Sequence, residues 1–178
     1  MDNTIRIPAV KDGETFTVGG VEFIKFPEVN GKVPVVMKDI AFHSTFGDNN
    51  DFRSSNVLQR LREEFLPKII NAIGEENVCA FEMDMTTLDG LKTYENLETR
   101  IGIPTFDFYR ANVSIFDKYN PDRRWWLATP ESANPHDEPE WIVCVAPSGN
   151  LDYGSFDCDL GVRPFLFFNS SIFESFDK

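Results

Sequence analysis

The chain is poor in the residues that staple small folds or hold metals. Its three cysteines, Cys79, Cys144 and Cys158, are too scattered in 178 residues for a disulfide framework, and none forms a Cys-x-x-Cys pair. Free thiols in a reduced, intracellular setting are expected. The two histidines, His43 and His136, have no second His at ligand spacing, which argues against a transition-metal site. No charge-free apolar run approaches the length of a membrane span, and Met1-Asp2-Asn3-Thr4 has no basic stretch leading into an apolar one. Neither a transmembrane helix nor secretion on its own signal is expected.

Positive charge is scarce as well. Seventeen Lys and Arg stand against 29 Asp and Glu, a net charge of −12, which disfavours direct binding to nucleic acid or to anionic membranes. After Trp126 the only bases are Arg163 and Lys178, among nine acids. Gly-x-Ser-x-Gly, a Walker Gly-Lys-Ser/Thr, Gly-x-Gly-x-x-Gly and His-Glu-x-x-His are all missing. The chain is therefore read as non-enzymatic, with no catalytic residue, cofactor or metal assigned. Asp48-Asn49-Asn50-Asp51 suggests a calcium loop but lacks the regular acidic spacing and closing Glu of an EF-hand.

What is present is a core. Hydrophobic residues make up 42% of the chain, seventeen of them Phe, enough for one domain over residues 1–178 that buries about 70% of its unfolded surface. Its organising stretch is Arg124-Trp125-Trp126-Leu127-Ala128-Thr129-Pro130. Adjacent Trp residues in a strand face opposite ways, so Trp125 and Trp126 can seal two layers, each ring burying roughly 150–250 Å². The matching segment is Leu160-Gly161-Val162-Arg163-Pro164-Phe165, expected to pair with it. There Arg163, a lone cation among apolar neighbours, needs an anionic or carbonyl partner.

Periodicity predicts an α+β fold of antiparallel sheets with two main helices. Residues 1–12 read as a loose leader. Residues 13–38 read as β-hairpins turning at Gly19-Gly20 and Asn30-Gly31, with Pro34 placing its strand at an edge or bulge. Phe42 to Phe52 reads as a polar loop. Val57, Leu58, Leu61, Phe65, Ile69, Ile70 and Ile73 form one apolar stripe on a helix within 55–74, capped by Ser54 or Ser55 and kinked or split at Pro67. Val78 to Met85 reads as one strand, and Pro104-Thr105 opens a short helix over 104–118. Residues 122–170 form the Trp/Arg β core with long loops, including a strand from Glu140 to Ala146.

Trp125-Trp126-Leu127-Ala128-Thr129-Pro130, Val143-Cys144-Val145-Ala146-Pro147-Ser148-Gly149 and Gly161-Val162-Arg163-Pro164-Phe165 together resemble the signature of a domain-of-unknown-function family. That family is common in clostridial gut bacteria and their phages and prophages. The order of features is more remotely similar to the C-type-lectin-like fold, as used by formylglycine-generating enzymes and phage receptor-binding tips. The resemblance implies a phage or prophage binding module, in the virion or the host cytoplasm, whose loops recognise a protein or glycan. The candidate binding residues are Asp137, Glu138, Glu140, Asp152, Asp157 and Asp159 in acidic loops, with Trp125, Trp126 and Arg163 as structural residues. The alternative is an acidic anti-defence inhibitor, a nucleic-acid mimic that occupies a basic, nucleic-acid-binding host protein such as a CRISPR nuclease.

Overall fold

Two glycine-bearing turns set the first layer. In the computed structural model, which describes residues 5–136 and 139–176, β1 (Thr15–Val18) meets β2 (Val21–Lys25) across Gly19-Gly20, and β3 (Lys32–Met37) follows Asn30-Gly31. The turn residues have φ of 57° and 76°, and of 51° and 77°. This is the type I′ range, whose twist matches the flanking strands and which Gly and Asn reach with least strain. Residues 5–12 are less loose than expected: Ile7 is buried, and its backbone bonds Ile172 O (2.7 Å) and Glu174 N (2.8 Å).

The helix begins where Ser55 Oγ accepts from Leu58 N (3.0 Å). Helix α1 (Asn56–Arg60) passes through a π-helical turn, Leu61–Phe65, into α2 (Leu66–Ile73). The turn is how the chain accommodates Pro67. Leu66 N–H reaches back five residues to Leu61 O, and the proline then stands in the first turn of α2, where its missing donor is not needed. Leu58, Leu61, Phe65, Ile69 and Ile73 are buried, and Phe65 packs edge-on to Phe23 of β2 (6.5 Å).

Phe42 to Phe52 is not a free polar loop. It opens with β4 (Phe42–Ser44), and Phe46, Asn50 and Phe52 are buried. The span from Val78 to Met85 holds two strands in different sheets, β5 (Val78–Cys79) and β6 (Phe81–Met83); β6 pairs with β7 (Leu97–Thr99). Helices α3 (Phe106–Ala111) and α4 (Val113–Phe116) follow, the first capped by Thr105. Then come β8 (Trp125–Pro130), β9 (Trp141–Val145), β10 (Leu151–Ser155), β11 (Leu160–Val162) and β12 (Phe165–Asn169).

The architecture is α+β. One five-stranded sheet runs β1-β2-β3-β12-β5 and the other β10-β9-β8-β11-β4. Named pairs are antiparallel except β8 with β11, which run parallel with Gly161 opposite Trp125. Pro34 lies on β3, an interior strand flanked by β2 and β12, not at an edge. The proline is tolerated because its carbonyl accepts from Phe26 N (3.0 Å), just past the end of β2. A strand residue's N–H and C=O point the same way, so the missing donor faces the point where β2 stops rather than the β12 ladder.

The two indoles lie on opposite faces of β8, both fully buried. Trp125 packs against Tyr109 (5.8 Å) and Phe116 (5.7 Å) beneath α3 and α4, and its Nε1–H donates to Asn120 Oδ1 (2.9 Å). Trp126 packs against Phe46 (5.3 Å) and donates to Ser44 O (2.9 Å). Its ring also lies on Gly154 of β10, where a Cβ would come within 2.6 Å of Cζ3. Arg163, buried between β11 and β12, stacks over Trp125 (4.6 Å) and donates to Met37 O (3.1 Å), Lys38 O (2.7 Å) and Tyr119 O (3.4 Å). Burial pushes its pKa down to about 10, so the group is still charged at neutral pH.

Two substitutions test this junction by urea unfolding. Arg163→Lys keeps the charge but loses the planar fork and the stack, and is expected to cost about 2–3 kcal/mol because buried carbonyls lose their donors. Gly154→Ala is expected to cost about 1–3 kcal/mol by forcing a methyl into the Trp126 ring. Losses below about 0.5 kcal/mol, the level of an ordinary surface change, would show that the Arg163 contacts do not hold the two sheets together and that Trp126 does not need the bare backbone of Gly154.

Candidate functional site

A cleft of about 470 Å³ opens where β8 ends and β9 begins, lined by Asn50, Asp89, Glu131, Ser132, Asn134, Glu140 and Trp141. The register of β8 against β9 shifts just before the opening. Trp126 faces Cys144, but Pro130 faces Ile142, so β8 gains two residues over that interval and bulges away from its partner. The bulged stretch is held from the other side, with Ala128 N–H donating to Pro104 O (2.9 Å) and Thr129 Oγ1 accepting from Phe106 N (2.9 Å).

Asn50 forms the floor. Its side-chain amide donates to Ser132 O (2.8 Å) and Trp141 O (3.3 Å), and its Oδ1 accepts from Tyr94 Oη (2.6 Å). Tyr94 lies under the Arg53 guanidinium (5.4 Å), which is itself held by Asp51 (2.8 Å). The Asp-Asn run thus contributes an internal brace, and among the described residues no group of three or more His, Cys, Asp or Glu is placed to hold a metal ion.

The wall carrying Asp89 is tied to the end of β8 by Leu88 N–H to Pro130 O (2.9 Å) and Asp89 N–H to Glu131 O (3.3 Å). Hydrogen bonds from the Thr87 hydroxyl and then Ser132 hold the Asp89 carboxyl below its ordinary pKa. Opposite, Glu131 N–H donates to Trp141 O (2.9 Å), and Glu140 accepts from Ser155 Oγ (3.1 Å). Trp141 is an exposed indole at the lip. Three carboxylates and an aromatic face therefore meet in one concavity, and no Lys or Arg lines it among the described residues.

Of the candidate binding residues that the structure describes, only Glu140 lines this cleft. Asp137 and Glu138 lie outside the described residues. Asp152 sits on the exposed strand β10, bonded to Arg124 and lowered in pKa by Tyr153 N–H (2.8 Å) and by that guanidinium. The segment Asp152 to Asp159 is therefore not a free loop: it is strand to Ser155, and only then a turn carrying the exposed Asp157 and Asp159. Trp125, Trp126 and Arg163 are core. The three thiols are free, and burial pushes that of Cys144 up to about 11, which leaves it protonated at neutral pH.

Asp89 and Trp141 were not singled out. Asp89-Gly90 carried only a turn signal, and Trp141 shares the alternation of Val143 and Val145, which are buried. Its exposure comes from its place at the strand's end, beyond what covers those valines. No family model, no curated protein and no solved structure matches the chain.

The Asp89 carboxyl offers a direct test. Its folded pKa lies below the unfolded value, so its hydrogen bonds stabilise the fold above the ordinary carboxylate range, and that contribution is lost as pH falls through the lowered value. Thr87→Val is expected to raise the Asp89 titration midpoint, followed by side-chain carboxyl chemical shift, while Thr87→Ser keeps it low. An unchanged midpoint in the valine variant would remove Thr87 as the cause.

Proposed function

We propose that the chain is a non-enzymatic binding module that uses the cleft beside Trp141 to take a cationic side chain of a protein partner. The observation that carries this reading is the convergence of Asp89, Glu131 and Glu140 with the exposed indole, with no base among the described lining residues. A Lys or Arg head seated there meets carboxylates on the walls and the ring face at the lip, a pairing worth about 0.5–2 kcal/mol for the ring alone. The hydrogen-bonded Asp89 supports it, because its carboxylate is held ionised. A neutral glycan could stack on Trp141 but would leave the wall charges unanswered. The net charge of −12 favours encounter with basic proteins at low salt. The sequence resemblance implies a phage or prophage setting, in virion or host cytoplasm.

A tetra-arginine peptide titrated by calorimetry at two salt concentrations tests the reading. Trp141→Ala is expected to weaken binding by about 3- to 30-fold, and Glu131→Gln to weaken it in the same direction. The Asp157→Asn, Asp159→Asn double variant is expected to change it less than about twofold, since those exposed charges are largely screened. Equal losses in all three variants would favour the nucleic-acid mimic, whose carboxylates act as a dispersed surface. Binding untouched by Trp141→Ala, or a preference for neutral oligosaccharides, would overturn the cationic cleft.

A further inference from the structure

Beside the cleft, β10 is the outer strand of its sheet. Alternate residues of an antiparallel strand turn their backbone groups toward the partner and away from it. Ala146 N–H donates to Asn150 O (2.8 Å) and Phe156 N–H to Glu140 O (3.0 Å), which fixes the phase: Asp152 and Gly154 face β9, while Leu151, Tyr153 and Ser155 face outward. Of the outward groups, Tyr153 N–H is held by Asp152 Oδ1 (2.8 Å) and Ser155 O by Cys158 N–H (2.9 Å). Leu151 N–H, Leu151 O, Tyr153 O and Ser155 N–H meet no protein partner among the described residues.

The side chains agree with the backbone. Leu151 and Tyr153 lie on the sheet face that carries Trp141, because cross-strand partners share a face and Ser155 stands opposite Trp141. All three are large and exposed, at 44%, 42% and 43%. They form an apolar row along an open edge that leads to the acidic cleft. Asp152 lies on the opposite face of the strand, bonded to Arg124, and the turn after β10 carries the exposed Asp157 and Asp159.

We infer that β10 is a docking edge for an extended, basic segment of a partner protein, which adds as a further strand and sets a Lys or Arg into the cleft. The inference rests on the cationic reading of that cleft and names the form of its ligand. Main-chain bonds to Leu151 and Tyr153 give the segment its register, and alternate apolar side chains cover Leu151 and Tyr153. To cross from the new strand past β10 and β9, about two strand spacings or roughly 10 Å, the segment needs about three to four extended residues between its apolar block and its cation. A second copy of this edge is a poor occupant, because residues 151–159 carry no Lys or Arg to enter the cleft. Asp152 guards the edge by covering Tyr153 N–H while bonded to Arg124, a device that discourages indiscriminate strand pairing.

The test uses the full chain and a synthetic peptide of alternating Val and Thr with two Arg placed three to four residues beyond the apolar block. Amide exchange and chemical shifts are read at Leu151, Tyr153 and the Trp141 indole. Binding is expected to protect Leu151 N–H and to shift Trp141. N-methylating the peptide on one alternate set of residues is expected to weaken it about tenfold, and on the other set hardly at all, since only one set faces β10. A Trp141 shift without Leu151 protection, or equal effects of the two methylated sets, would overturn the docking edge and leave the cationic cleft standing. Protection of Leu151 by a peptide lacking Arg, as tightly as with it, would support the edge and sink the cleft reading. Leu151 protection that rises with protein concentration and needs no peptide would assign the edge to a second copy and overturn the inference.

Discussion

The structure depends on one buried cation. Arg163 occupies the crossing point at which the chain leaves the mixed sheet through β11 and enters the antiparallel sheet through β12. Its guanidinium binds the carbonyls that end β3, Met37 and Lys38, and the carbonyl of Tyr119 after the short helices, while its flat face covers Trp125. A buried charge without a carboxylate is costly, and here carbonyl dipoles and an indole face stand in for one. Lysine has no planar fork with which to do this. Since the ligating carbonyls come from two separate parts of the chain, residues 37–38 and Tyr119, and Arg163 itself lies in a third, the charge fixes how the two sheets and the α3–α4 segment meet.

The cleft follows from that junction. With Trp125 and Trp126 locked on opposite faces, the start of β8 is rigid, and the two surplus residues near its end have to be taken up between Trp126 and Pro130. Pro104 O and Phe106 N hold the resulting bulge, pairing with β9 resumes at Pro130 and Glu131, and the chain then leaves β9 through Ser132 and Asn134. Asn50 then spans the gap through its side-chain amide. The frame thereby presents three carboxylates and a ring, with Asp89 and Glu140 oriented by the hydroxyls of Thr87 and Ser155.

Elements set by local chemistry were visible in the sequence. Gly19-Gly20 and Asn30-Gly31 adopt the turns their dipeptides demand, Ser55 and Thr105 cap the helices they precede, and alternation put the two indoles on opposite faces. What was hidden is set by partners distant in the chain. Pro34 lies inside a sheet because β2 stops one residue short of needing its donor, a fact no reading of β3 alone contains. The polar look of residues 42–52 concealed β4, whose partner is Leu160–Val162. The cleft assembles Asn50, Asp89, residues 131–134 and residues 140–141, and nothing local to Asp89 signals that it faces Glu131.

The place of β12 in the sheet order bears on how the protein is made. β12 lies between β3 and β5, and β5 has no other strand neighbour. Until the ribosome has released the residues up to Asn169, the apolar flank of β3 stays uncovered, and the Phe23–Phe168 contact (5.5 Å) does not exist. Early hairpins can form on the nascent chain, but closure of both sheets waits for Leu160–Val162 and Phe165–Asn169. High sequence separation of this kind slows folding and leaves strand edges open in the interval, which makes yield during synthesis sensitive to temperature and to chaperone supply even where the finished molecule is stable.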